Sequence, residues 1–255
     1  SAVFYPPILN AEGMTVLGWK DGFTPTINGK TPVLEDYEMS RSYAIAPDRK
    51  SVLLGTEWAI RLLRPDASEI WHVNLPSVAW SVNVSHNGLL GVAALSDGTI
   101  RWYRMQDGQE VPAYFPHGNG RDWIVWVPDS YYMSSIYGDN FVGWHVNRGA
   151  DLTPDFYRAV QFDRILYRPD VVRGAFHAAN ASGTRGLGSS APGADFQIDR
   201  LRDIAPPRLK LTTVSVDGIG SGRPRLVLKV EGEKNTLGIR DYSVFVNGIP
   251  ITPSR

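Results

Sequence analysis

The feature that most constrains how this 255-residue chain can fold is a run of short apolar stretches and turns that recurs about every forty residues. The first copy reads Tyr43-Ala44-Ile45-Ala46, a turn at Pro47-Asp48, Val52-Leu53-Leu54-Gly55, then Ala59-Ile60-Arg61-Leu62. The second reads Val82-Asn83-Val84-Ser85, a turn at Asn87-Gly88, Gly91-Val92-Ala93-Ala94, a turn at Asp97-Gly98, then Thr99-Ile100-Arg101-Trp102. The third reads Trp123-Ile124-Val125-Trp126, Pro128-Asp129, Tyr132-Met133-Ser134-Ser135, Gly138-Asp139, then Phe141-Val142-Gly143-Trp144. Ile60, Ile100 and Val142 fall on equivalent positions. Each run has strand length, and each is closed by Asn, Asp, Gly or Pro, the residues that tolerate turn dihedrals.

Three or four short strands per period of this length are the signature of a WD-repeat-type β-propeller blade. Trp102 and Trp144 stand where that motif places its tryptophan, while the aspartate that usually follows is replaced by Tyr103 and His145. A β-sandwich with evenly spaced strands is the competing reading. Upstream, Phe4 to Glu38 reads as strand and turn, with Met14-Thr15-Val16-Leu17 and Pro32-Val33-Leu34 separated by Asp21-Gly22 and Asn28-Gly29. Residues 1–149 hold about three and a half units, whereas closed propellers have about four to eight blades. The expectation is therefore the C-terminal three to four blades of a propeller whose arc is completed by sequence outside this chain.

The texture changes after Gly143. Ala159, Phe162, Ile165 and Leu166 have helical spacing, and Pro169-Asp170 opens a second short helix through Val171, Val172, Ala175 and Phe176. Residues 150–178 thus read as a helical segment packing on the propeller. Residues 179–205, with Gly183, Gly186, Gly188 and Gly193 among Ser and Ala, have the composition of a flexible linker. Their glycine spacing fits neither the dinucleotide fingerprint nor the P-loop. From 206 to 255, alternating Leu209, Leu211, Val214 and Val216, then Leu226, Leu228 and Val230, then Tyr242, Val244 and Val246 predict three strands of one antiparallel sheet, with Asn247-Gly248 as a hairpin turn. That is the first half of an immunoglobulin-like β-sandwich. The fold class is mainly β: a partial propeller, a short helical segment and part of a sandwich.

Lys+Arg and Asp+Glu balance at 26 each, so no broad basic field points to nucleic acid. With no cysteine there is no disulfide, thiolate metal site or cysteine nucleophile. No apolar run reaches the roughly 18 residues of a membrane span, and Ser1-Ala2-Val3 lacks signal-peptide character. His72, His86, His117, His145 and His177 are scattered without HxH or HExxH spacing, so neither metal nor cofactor is expected. Asp48, Asp97, Asp129 and Asp139 sit at turns, where the carboxylate bonds backbone amides; Ser134-Ser135 and Ser189-Ser190 lack a nucleophile-elbow context. Most of Trp58, Trp71, Trp80, Trp102, Trp123, Trp126 and Trp144 fall at repeat positions and read as filler between blades. Trp58 and Trp71, off the strongest positions, are the candidates for partner binding. The other reading is a stand-alone propeller enzyme or sugar-binding protein using turn Asp and Trp side chains.

The runs SRSYAIAPDRKSVLLGTEWAIR (40–61), AWSVNVSHNGLLGVAALSDGTIRWYRMQDGQE (79–110), GWHVNRG (143–149) and QFDRILYRPDVV (161–172) resemble the region upstream of the protease domain in bacterial caspase-family proteins. The order is similar too: WD-type repeats, a helical segment ending in YRPDVV, a Pro-Pro linker and an Ig-like module with a VNG turn at Val246-Asn247-Gly248. The resemblance implies a regulatory, protein-interaction role in a bacterial protein, with the cytoplasm preferred over the periplasm. It also implies that a second chain or segment, including a caspase-like domain, completes the propeller and the sandwich. No family catalytic residue can be placed on a chain without cysteine. Such enzymes prefer a basic residue before the cut, so Arg255 is either a self-processing site or simply the end of this piece.

Overall fold

The computed structural model describes residues 5–147, 149–151, 153–180, 208–217, 225–233, 245–246 and 249–250. They belong to two compact units, Ser1–His145 with Phe156–Ala194, and Val146–Asp155 with Asp195–Arg255.

In the first unit a small ribbon, β1 (Val16–Leu17) with β2 (Thr26–Ile27), precedes two antiparallel meanders. Asn28, at φ 50°, closes the ribbon: its Oδ1 accepts the Thr15 N–H at 2.8 Å and its Nδ2 donates to Gly13 O at 3.1 Å. The first meander is a four-stranded sheet, β3 (Ser40–Ile45), β4 (Val52–Thr56), β5 (Ala59–Leu63) and β6 (Glu69–Asn74) in sequence order. Two of its three turns share one device, a side-chain oxygen that takes the N–H two residues on: Asp48 from Lys50 and Asp66 from Ser68. Asn87, Asp97 and Asp107 do the same for Leu89, Thr99 and Gln109 in the second meander.

β4 and β5 are buried along their whole length because the first sheet is covered on both faces. One face packs Tyr43, Ile45, Val52, Leu54 and Leu63 against Met14, Val16 and Ile27 of the ribbon side. The other packs Ala44, Leu53 and Leu62 against Val82, Ala93, Leu95 and Tyr103 of the second sheet. Each fully buried Val, Leu or Ile here contributes about 1.5–3 kcal/mol. β4 lies close against β7 at Gly55, where an added Cβ would lie 2.6 Å from Ser42 Oγ and 2.9 Å from both Ala79 Cβ and Val82 Cγ1. Ser42 Oγ spans the same junction, donating to Ala79 O at 2.9 Å.

The second sheet departs from the repeat. It has six strands, β7 (Ala79–Val84), β8 (Leu90–Leu95), β9 (Ile100–Arg104), β10 (Glu110–Pro116), β11 (Trp123–Trp126) and β12 (Tyr132–Ser134), again in sequence order. The third copy is therefore not a sheet of its own. β11 pairs directly with β10, Ala113 opposite Trp126 through Pro116 opposite Trp123, because the short connection at 117–122 makes an antiparallel hairpin. The expected last strand of that copy begins later: a 3-10 turn occupies Gly138–Asn140, and β13 (Gly143–Val146) pairs with β14 (Asp155–Arg158).

The helical segment opens with a 3-10 turn over Ala159–Phe162, continues as α1 (Asp163–Leu166) and, after an extended Tyr167, as α2 (Pro169–Asn180). The break falls where a residue before proline is driven out of helical dihedrals, and Pro169 then starts α2 at the position that needs no N–H. Ala159, Phe162 and Leu166 are buried, as are Val172, Ala175 and Ala179 on one side of α2. α2 lies against β10 and β12, with Phe176 edge-on to Trp102 at 5.6 Å and Ala179 beside Leu90 and Val111. The Arg168 N–H donates to Tyr132 O at 2.8 Å, fixing the helix start to the last strand of the sheet.

In the second unit β15 (Arg208–Asp217) and β16 (Arg225–Glu233) form an antiparallel ribbon with a bulge between Thr213 and Ser215. Leu209, Leu211, Val214, Val216, Leu226, Leu228 and Val230, which the sequence assigns to strands, all lie on these two and are exposed. The third expected strand is not in this sheet among the described residues: β17 (Phe245–Val246) pairs with β18 (Ile249–Pro250), while Tyr242 and Val244 lie outside the described residues. The mainly β class read from the sequence is what the structure shows.

Candidate interaction surface

At the strand ends where β4 turns into β5, two irregularities meet. Ser40 pairs with Thr56 and Ser42 with Gly55, leaving Arg41 as one extra residue in β3. Ala79 pairs with Leu95 and Ser81 with Ala94, leaving Trp80 as the extra residue in β7. The two bulges occupy equivalent points of the first and second repeats. A bulge re-aims the side chain it inserts, and here both are aimed at each other: the Arg41 guanidinium lies 5.2 Å from the centre of the Trp80 ring. Arg41 is pinned by Asp21 Oδ1 and Glu57 Oε1, each accepting from it at 2.5 Å, and its side chain is only 16% exposed. Trp80 is 56% exposed. The result is a large, rigid indole held at the surface by a cation that is itself immobilised.

Beneath this cluster a buried chain of charges fixes the loop that leads into β3. Glu38 Oε1 accepts from Thr56 Oγ1 at 2.5 Å and Arg61 Nε at 3.0 Å, and Oε2 accepts from Arg61 Nη2 at 2.6 Å and the Glu35 N–H at 2.9 Å. Arg61 Nη1 donates to Glu69 Oε2 at 2.6 Å, and Glu69 Oε1 lies 2.7 Å from His72 Nδ1. The Glu38 side chain is 0% and that of Arg61 4% exposed. Burial by itself would raise the Glu38 carboxyl, yet the bonds from Arg61 and Thr56 outweigh it and hold the group below the usual carboxylate range.

Trp58 projects from the β4–β5 turn beside Glu57 and is 38% exposed. Trp71 is half-buried between the sheets, its Nε1 donating to Met105 O at 2.9 Å and its ring against Gly108, which adopts φ 72° and has no Cβ to clash. Arg255 lies outside the described residues. Trp80, assigned by the sequence to the filler between blades, is the tryptophan that the sequence missed. Val82 and Val84 point inward, so strict alternation would bury Trp80 with them; the bulge breaks the parity, and no local signal in the sequence announces it.

At the opposite strand ends a groove of about 980 Å³ is lined by the Asp48, Asn87 and Asp107 turns together with Lys50, His86 and Met105. Its carboxylates are engaged: Asp48 holds its turn and Asp107 pairs with Arg104. The histidines are separated, His72 on Glu69, His86 stacked on Tyr5, His117 on Phe141 and His145 beside Phe156. Among the described residues no group of three or more His, Asp or Glu is placed to hold a metal ion. Among the described residues no helix is long and apolar enough to cross a membrane.

No protein-family model matches the chain. No curated protein matches it in sequence. Among solved structures it is similar to the RRP9 WD40 repeats and to U3-55K, each at 11% identity and a TM-score of 0.30 over 35% of this chain and 35% or 36% of theirs. It is also similar to BamB from Moraxella catarrhalis, at 15% identity and a TM-score of 0.29 over 43% of this chain and 35% of that one. Each match spans about a third of the solved chain, a partial likeness that bears on no activity.

Proposed function

We propose that this chain is a non-catalytic protein-interaction module built on blade-type β-sheets, with Trp80, clamped by Arg41 and flanked by Trp58, at the centre of its partner-binding surface. The carrying observation is the coincidence of two bulges, one per sheet, that spend ladder pairing to bring an exposed tryptophan onto a fixed arginine. Tryptophan and arginine dominate the binding energy of protein interfaces, and a preorganised side chain loses little entropy on docking. The resemblance to the region upstream of the protease in bacterial caspase-family proteins supplies the context. In it, residues 1–149 are propeller blades, 150–178 brace them, 179–205 link, and 206–255 begin an Ig-like module. A caspase-like domain is the element regulated, and cleavage after Arg255 is one route of release.

Quantitative affinity purification with the wild-type chain and with Trp80→Ala tests the reading. At least one protein partner is expected to lose about 30-fold in recovery, the equivalent of a hot-spot residue worth about 2 kcal/mol, with thermal unfolding unchanged. An identical set of recovered proteins would refute the assignment of this surface.

A further inference from the structure

The segment Tyr5–Leu9, sequence Tyr-Pro-Pro-Ile-Leu, precedes the first ribbon and belongs to no sheet. It is nevertheless held at four points, by residues of β3, of β7 and of the turn after β7. The Ile45 N–H, on the edge of β3 away from β4, donates to Ile8 O at 2.8 Å, and Tyr43 Oη donates to Leu9 O at 2.7 Å. From β7, Asn83 Nδ2 donates to Tyr5 O at 3.0 Å, while the His86 ring stacks on the Tyr5 ring at 4.9 Å and 17°. Asn83 is itself oriented, its Oδ1 accepting the Val84 N–H at 2.8 Å, so its donor end is fixed on the segment.

Two properties set this segment apart from a structural strand. All three hydrogen bonds end on its main-chain carbonyls, so they read an extended backbone and not a sequence. Its side chains add little to the core, with Tyr5 57%, Ile8 39% and Leu9 39% exposed. Between the anchored carbonyls stand Pro6 and Pro7, which have no N–H to satisfy and restrict φ to the polyproline II range. Pro6 and Pro7 thus ask for no acceptor, and the contacts made to the segment are three donors and one ring.

We infer that the edge of β3 away from β4, together with Asn83 and His86 of the β7 side, is a docking site for an extended, proline-containing peptide led by an aromatic residue, occupied here in cis by Tyr5–Leu9. His86 also lines the 980 Å³ groove, so the track runs into a cavity able to take residues flanking the anchored ones. The site stands apart from Arg41 and Trp80 and does not depend on the function proposed for them. As a tethered ligand the segment acts at an effective concentration of about 1 mM. A free peptide with an intrinsic Kd of about 0.1 mM is then outcompeted about tenfold.

The test is fluorescence anisotropy with a labelled synthetic copy of residues 2–10, titrated with the full chain. Tyr5→Ala, Pro6→Gly and Pro7→Gly combined loosen the cis segment without touching the site. The peptide is expected to bind this variant up to about tenfold more tightly than wild type. Adding Asn83→Ala is expected to reverse the gain, as is His86→Ala, an exposed turn substitution that serves if Asn83→Ala disturbs folding in a thermal melt. Trp80→Ala in the loosened background leaves peptide binding unchanged. Equal binding to wild-type and loosened chains, including none to either, overturns the inference, as does binding indifferent to Asn83 and His86.

Discussion

Replacing Arg61 by Ala probes the buried charge chain at its centre. In the wild-type chain Glu38 is fully buried and accepts four bonds, two of them from the Arg61 guanidinium at 2.6 and 3.0 Å. Removing the guanidinium leaves a buried carboxylate with only the Thr56 hydroxyl and the Glu35 N–H, and takes one partner from Glu69. Losing one partner of such a pair costs about 3–5 kcal/mol, since the remaining charge is desolvated without compensation. For a domain of this size about 2–4 °C of Tm accompanies each kcal/mol, so the melting temperature should fall by roughly 6–20 °C. Urea unfolding followed by far-UV circular dichroism measures the change directly. Glu38→Gln added to Arg61→Ala should recover part of the loss, because it removes the stranded charge. An Arg61→Ala cost below about 1 kcal/mol, or a double variant whose losses simply add, would refute the reasoning.

Acid stability should respond to the same chain. Glu38 and Glu69 are held below their ordinary 4.5 by their hydrogen-bonded partners despite burial, so they contribute stability at neutral pH that is lost as pH falls below about 4.5 through their folded values. Glu110 and Asp139, raised by burial, work in the opposite sense and favour the folded state on protonation. Denaturant midpoints from pH 7 to 3 should therefore fall less steeply for Glu38→Gln than for wild type, and parallel curves would count against the network. Gly55→Ala should cost about 1–3 kcal/mol, because its Cβ would be forced against Ala79, Val82 and Ser42 where the sheets touch; a neutral melt would mean that the sheets separate freely.

What could be read in advance was whatever is encoded by neighbours along the chain. The strands Tyr43–Ala46 and Val52–Gly55, the Asp48, Asn87 and Asp97 turns, and the start of α2 at Pro169 rest on local backbone preference, and all were legible. Two kinds of feature were not. The Glu38–Arg61 pair joins residues 23 positions apart, and nothing in either one's surroundings names the other. Trp80 was hidden because alternation is counted from the strand's own residues, whereas a bulge is a property of two strands in register. The merging of the third copy into the second sheet has the same origin: the repeat specifies strands, but which neighbour β11 chooses depends on the six residues between 116 and 123.

That choice sets the unit of cooperativity. With Tyr114 opposite Val125 and Phe115 opposite Ile124, the amides of β10 and β11 are shared between what the sequence presents as separate repeats. Neither can open without exposing the other's ladder. Amide hydrogen exchange should thus show residues 79–134 protected as one block with a common opening free energy, distinct from residues 40–74. The period written in the sequence and the period of unfolding are different lengths of chain.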